Sequence, residues 1–252
     1  MIPTILFEFH AALLLCISSL IMGMSRGGLG GGLGLLGVLI AAQILDPIEA
    51  AVFLLPILII TDPISVYIYR RNVDWQSLRD LMPGVLLGLV IGSLLISIIT
   101  LKLLQGIVGL LSLALVANGI LDSYGKIKFR NLSKIWGFGL GTLAGFSSFL
   151  IHAGLPPVAA YILPKKMHRS RFMGTTAVFF LITNLVKVIP YFGLGLFSIE
   201  LFILTILMIP ISFFGIWLGR FINGKISDKI FYLLVYGSVF LLGIRLLILA
   251  FF

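Results

Sequence analysis

The sequence predicts an all-α, polytopic helical membrane protein, and three observations carry that prediction. Of 252 residues, 60% are hydrophobic and only 11% charged, whereas soluble domains average about a quarter charged. The apolar residues fall into runs of bilayer-spanning length, which is about 17–25 residues for a helix. The basic residues gather in short clusters between those runs, as cytoplasmic loops do under the positive-inside rule.

A soluble chain this apolar could not cover its own surface, and a disordered one would need low hydrophobicity. The net charge of +9 would suggest nucleic acid if it formed one basic face. It is instead divided among Arg70, Arg71 and Arg79; Lys126, Lys128, Arg130 and Lys134; Lys165, Lys166, Arg169 and Arg171; and Arg220, Lys225 and Lys229. The expected partners are therefore a lipid bilayer and a small solute, with no nucleic acid, and the expected location is the cell membrane. Cys16 is the only cysteine, which rules out an intramolecular disulfide or a CxxC site. The histidines have no zinc-binding spacing, no nucleotide-binding P-loop occurs, and no cofactor is implied. The apolar N-terminal stretch lacks a basic flank and a small-residue cleavage site, so it reads as mature structure.

The apolar segments are 9–25, 29–45, 48–69, 80–100, 102–122, 135–148, 150–163, 171–191, 198–219 and 229–250. Six are long enough to span. The pairs 9–25 with 29–45, and 135–148 with 150–163, are short and separated by helix-weakening sequence. In the first, Gly23, Gly27, Gly28 and Gly30 to Gly32 surround Ser25 and Arg26; in the second, Gly145, Ser147 and Ser148 lead to His152, Gly154, Pro156 and Pro157. Glycine costs a helix about 1 kcal/mol relative to Ala, and proline removes an amide donor. Such breaks at membrane depth survive only where protein or water satisfies the freed backbone.

The two halves resemble each other. A shift of 122 places Gly23 on Gly145, Ser25 on Ser147 and Thr61-Asp62 on Thr183-Asn184. A shift of 127 sets Gly88 and Gly92 on Gly215 and Gly219, and one of 124 sets Gly119 on Gly243. With the basic clusters placed inside, each half contains a broken-helix hairpin followed by three crossings. Three crossings reverse direction, so the expectation is two inverted pseudo-symmetric repeats, 1–125 and 126–252, in one transmembrane domain. Charge parity is the same whether the hairpins are re-entrant or spanning.

The glycine run Gly27–Gly32, the Asp46-Pro47-Ile48-Glu49-Ala50 opening, the Tyr67–Trp75 stretch and the Gly84/Gly88/Gly92 ladder resemble the sulfite exporter TauE/SafE family along essentially the whole chain. That resemblance implies a membrane permease for small sulfur-containing anions such as sulfite or organosulfonates. The sequence departs from the family's pattern in the second hairpin, where Ser147–Gly154 is not glycine-rich.

Arg26 lies inside a broken helix. A cation at membrane depth costs at least about 2.5 kcal/mol on insertion scales and is a functional candidate by default. Its guanidinium suits a pair of sulfur-oxyanion oxygens, and Gly27, Gly28 and Gly30 let backbone amides approach an anion. Snorkelling to the interface is the competing role. Asp62, within Thr61-Asp62-Pro63, is a proton-coupling candidate, against a structural role at the carbonyls that Pro63 frees. Thr61 beside it, Thr183, Asn184 and Lys187 on the symmetric segment, and Ser25, Ser147, Ser148 and His152 at the hairpins complete the candidate substrate site. The glycine ladders are read as helix-packing surfaces. Trp75, Trp136, Trp217, Tyr67, Tyr69 and Tyr191 are read as interfacial belts.

The leading function is thus a secondary transporter of small anions, with an anion channel as the alternative. An enzyme is not expected, since the chain has no convincing Ser/His/Asp set, paired acids or metal ligands.

Overall fold

In a computed structural model, residues 8–96, 98–123 and 132–251 are described, and among them all regular structure is helical. The elements are α1 (Phe9–Met24), a π-helical turn (Ser25–Leu29), α2 (Gly31–Ala41), α3 (Pro47–Tyr69), α4 (Trp75–Leu95), α5 (Leu101–Ser123), α6 (Lys134–Ile151), α7 (Leu155–Ile162), α8 (Arg169–Gly193), α9 (Ile199–Lys225) and α10 (Asp228–Phe251).

Eight helical segments among the described residues are long and apolar enough to cross a membrane, two more than expected from hydropathy alone. The π turn carries α1 on to Leu29, and α6 reaches 18 residues because Ser147 and Ser148 remain helical. Other boundaries moved where charged residues lie inside helices. α4 starts at Trp75 rather than 80, with Arg79 and Asp80 in its first turns, and α9 runs past Arg220 to Lys225. The expected segment 150–163 shortens to α7, because His152 takes a left-handed conformation (φ 52°) and ends α6. The repeat boundary expected at 125/126 lies outside the described residues.

Close glycine packing sets the helix directions. Gly84 lies against Phe138 and Thr142, Gly88 against Thr142 and Phe146, and Gly92 against Phe149, so α4 and α6 run parallel. Gly23 meets Ser212 and Gly215, and Gly27 meets Ile216 and Arg220, so α1 and α9 are parallel too. α3 and α8 are antiparallel, since Asp62 touches Asn184 while Gly174 meets Tyr69 and Asn72. α5 and α10 are antiparallel, with Gly109 on Leu247 and Gly119 on Tyr236. α2 folds back along α1, where Gly34 faces Met22 and Ser25, and Gly37 faces Ser18. Contacts that match under exchange of the halves recur: Gly88 sits on the Thr142 carbonyl, and Gly215 on the Leu20 carbonyl.

Three of the basic clusters meet at one end of the bundle. There Asp74 accepts from Ser77 (2.5 Å) and Arg171 (3.2 Å), and Lys165 lies 3.9 Å away. Lys165 also reaches the Ser77 hydroxyl (2.7 Å), and the Tyr161 hydroxyl donates to Asp80 (2.8 Å). This network fastens the end of α7 to α4 and α8. Arg169 pairs with Asp228 (3.0 Å) and donates to the Asn223 and Ile226 carbonyls, tying α8 to α9 and α10. Burial opposes ionisation of Asp74, but the Ser77 hydroxyl, Lys165 and Arg171 outweigh it and hold the carboxyl below the usual carboxylate range. A lowered folded-state value means that this stability is present above the ordinary Asp range, about pH 4. It is lost as pH falls through the folded value.

Two outcomes follow. Gly88→Val would place its Cβ 2.0 Å from the Thr142 carbonyl oxygen and is expected to destabilise the protein by at least ~1–3 kcal/mol. Gly139→Val, where nothing lies within 4 Å, should change little; thermal unfolding in detergent measures both. In the same assay Asp74→Asn should lower Tm at pH 7 and flatten the loss of Tm between about pH 5 and 3.

Candidate functional site

The two broken hairpins are built alike, although their sequences differ. In the first, the Ser25 hydroxyl donates to the Gly30 carbonyl (2.9 Å), closing the π turn on itself. In the second, the Ser147 hydroxyl donates to the Ala153 carbonyl (2.9 Å). Gly30 has φ 87°, and His152, 122 positions later, has φ 52°. A non-glycine residue rarely adopts that conformation, so a side chain capable of chemistry occupies the place where the first hairpin has glycine.

Two tyrosines hold the hairpins to the long helices. Tyr69 of α3 donates to the Gly27 carbonyl (3.0 Å), and Tyr191 of α8 donates to the Phe149 carbonyl (2.5 Å). Both donor and acceptor positions are again 122 apart. This corrects the assignment of Tyr69 and Tyr191 to interfacial belts: they are 8% and 1% exposed. Each buried hydroxyl satisfies a carbonyl that the broken helix leaves without an amide partner. Tyr67, Trp75, Trp136 and Trp217 are exposed on the outer faces, as belt residues are. Asn223 joins the first tyrosine by donating to the Tyr69 hydroxyl (2.8 Å), a role the sequence did not signal.

Between the hairpins lie the ionisable groups. Arg26 Nε is 2.6 Å from Asp62 Oδ1, a close ion pair not aligned as a hydrogen bond. The guanidinium carbon stacks 4.4 Å from the Phe180 ring centroid. Arg26 is buried at 6% exposure, so it does not snorkel. Its Nη groups make no hydrogen bond among the described residues. The other Asp62 oxygen accepts from Asn184 Nδ2 (2.6 Å). Asp62 therefore links the first hairpin to α8. As a carboxylate, Asp62 has no donor to offer the carbonyls that Pro63 frees, and its oxygens face Arg26 and Asn184 instead.

One turn beyond Asn184, Lys187 is fully buried. Its Nζ reaches the Ser148 carbonyl (3.1 Å), the Ser148 hydroxyl (3.3 Å) and His152 Nδ1 (3.0 Å). His152 Nε2 lies 2.9 Å from the Ala51 carbonyl. A carbonyl only accepts, so the ring hydrogen belongs on Nε2 and Nδ1 is left to accept from Lys187. Thr61 and Thr183 donate to the carbonyls one turn earlier, at Ile57 (2.8 Å) and Phe179 (2.7 Å). Of the expected site residues, Arg26, Asp62 and Asn184 form one bonded group and Lys187, Ser148 and His152 a second, and the two meet on α8, where Asn184 and Lys187 are about one turn apart. The hydroxyls of Ser25, Ser147, Thr61 and Thr183 are engaged with backbone carbonyls beside them.

Arg26 and His152 line one small cavity of about 10 Å³, with Met22, Gly31, Gly34, Leu35, Val38, Leu58 and Phe180. That is about the space of one water. Gly28 and Gly30 admit no larger residue without strain: at Gly28 (φ 152°) a Cβ would lie 2.5 Å from Asn223 Nδ2 and 2.6 Å from the Tyr69 hydroxyl. The cavity is too small for a solute larger than water.

Removing one tyrosine hydroxyl should loosen one hairpin. Tyr69→Phe and Tyr191→Phe are each expected to lower stability by about 1–3 kcal/mol, the cost of leaving a buried carbonyl unsatisfied. Hydrogen exchange should rise at 25–30 in the first variant and at 149–154 in the second.

Comparisons with curated proteins and with solved structures gave no match. The sequence does match the family described as Sulfite exporter TauE/SafE, over residues 12–246, from α1 into α10 and through both hairpins. That family is one of membrane transporters for sulfur anions. With eight apolar helices of spanning length among its described residues and a family match over nearly all of its length, this chain is a multi-pass integral membrane protein and belongs to the TauE/SafE sulfite exporter family.

Proposed function

We propose that the protein is a secondary transporter that moves small sulfur-containing anions, sulfite or an organosulfonate, through the space between its two hairpins. The observation that carries this reading is the burial of two basic side chains, Arg26 and Lys187, at the hairpin tips, where Arg26 and the His152 bonded to Lys187 line one cavity. Burying cations in a membrane bundle is costly unless they are paired or used. The unbonded Nη groups of Arg26 offer two parallel donors to a planar or tetrahedral oxyanion. Ser148 and Asn184 would orient the anion, with Thr61 and Thr183 holding the helix turns beside it, and the glycines Gly27, Gly28 and Gly30 would allow close backbone approach. Ser25 and Ser147 would hold each hairpin closed.

The two halves read as inverted repeats. The parallel pairs α1/α9 and α4/α6 and the antiparallel pairs α3/α8 and α5/α10 support this reading, in which α6, α8 and α10 run opposite to α1, α3 and α5. Such an architecture supports alternating access by rocking about a central site. Asp62 sits where the halves meet, bonded to both hairpin 1 and α8, and is the group proposed to couple proton movement to anion movement.

Purified protein in liposomes tests the reading. Saturable uptake of sulfite or methanesulfonate is expected, and Arg26→Met with Asp62→Asn should cut the initial rate roughly 10- to 100-fold, the loss of one or two charge-assisted hydrogen bonds. An imposed pH gradient should change the wild-type rate, and Asp62→Asn alone should abolish that effect. A pH-insensitive flux removes the coupling role and leaves the permease. Absence of any sulfur-anion flux removes the substrate class, and conductance far above carrier turnover indicates a channel.

A further inference from the structure

The charges buried in the site do not balance. While Lys187 is protonated, it and Arg26 each bring a positive charge, and Asp62 is the one carboxylate among them. One Asp62 oxygen lies against the Arg26 guanidinium and the other accepts from the Asn184 amide. Lys187 has no carboxylate partner among the described residues; its acceptors are Ser148 and the His152 ring nitrogen, all uncharged in this arrangement. The remaining acids whose side chains are described lie near helix ends: Glu8, Asp46, Glu49 and Glu200 toward one end of the bundle, Asp74, Asp80 and Asp228 toward the other. A charge left uncompensated in a low-dielectric interior is costly, and a site carrying a standing excess of one positive charge is made neutral by one negative charge.

We infer that the site between the hairpins selects its substrate by charge, taking a monoanion while Asp62 is ionised, with Asp62 setting the charge that is accepted. This rests on the anion-transport reading above and narrows its substrate class to singly charged sulfur oxyanions, namely sulfonates and hydrogen sulfite. A dianion brings one negative charge too many and meets the Asp62 carboxylate. Neutralising Asp62 raises the site's excess to two and shifts its preference to a dianion. The same exchange would let a proton on Asp62 travel with a doubly charged substrate, so charge selection and coupling would share one residue.

Methanesulfonate and sulfate separate charge from shape, because both are small tetrahedral oxyanions and their charges do not change between pH 6 and 8. Their binding to the purified protein in detergent would be measured by titration calorimetry at pH 7 and constant ionic strength. Wild type should bind methanesulfonate at least about tenfold more tightly than sulfate, a modest effect for one buried charge at contact distance. Asp62→Asn should reverse that order, and Lys187→Met should weaken methanesulfonate at least about tenfold. Sulfate binding as tight as methanesulfonate in wild type would overturn the inference while leaving anion transport standing, and this arm needs no variant to fold. An unchanged ratio in folded Asp62→Asn would overturn it equally. If neither anion binds, the anion-site reading itself falls, and this inference with it.

Discussion

A guanidinium and a carboxylate held 2.6 Å apart inside a membrane bundle constrain everything around them. Removing either partner leaves a charge where neither water nor lipid can solvate it, a loss of several kcal/mol in buried pairs. The chain therefore has to bring the first hairpin tip, the middle of α3 and the middle of α8 to one point. The tight glycine contacts of α1 with α9 allow the first, and the antiparallel packing of α3 on α8 provides the second. Asn184 completes the arrangement by donating to the second carboxylate oxygen. The pair is at once the structural joint between the halves and the electrostatic centre of the candidate site.

The second hairpin solves the same problem with the charge moved. At the position 122 residues after Arg26 stands Ser148, and the cation is carried instead by Lys187 on the long helix. The tyrosine and serine hydrogen bonds that shape the two tips are preserved. What differs is the chemistry presented to the centre: an ion pair from one side, and an ammonium–imidazole pair from the other. The two tips share their backbone supports and differ in the side chains they carry to the centre. The ionic network around Asp74 lies well away from that centre and fastens the second hairpin's return arm at the basic end of the bundle.

Most of the scaffold was legible in the sequence, because hydropathy and glycine spacing are local signals. The long apolar runs became helices within a few residues, and the Gly84/Gly88/Gly92 ladder packs on α6 as its spacing implied. Boundaries shifted where local polarity misled: Arg79, Asp80 and Arg220 are charged yet helical, since helix ends at a bilayer surface tolerate charge. Arg26, Asp62, Asn184 and Lys187 stood out because polar groups are conspicuous within apolar runs. Their mutual arrangement was not readable, since it depends on which helix faces lie together. The roles of Tyr69, Tyr191 and Asn223 were hidden for a different reason. A tyrosine near the end of a hydrophobic segment suits an interfacial belt as well as a buried carbonyl, and only packing distinguishes the two.

The central claim is that an oxyanion is held between the hairpins by Arg26 and Lys187. A crystal structure of the protein in lipid with selenite, whose selenium scatters anomalously, measures this most directly. The account predicts an anomalous peak within hydrogen-bonding reach of the Arg26 Nη groups and on the Lys187 side of Asp62, with the hairpins parted around it. Selenium bound only at the exposed basic loops, with Arg26 and Lys187 unvisited at saturating concentration, would contradict it.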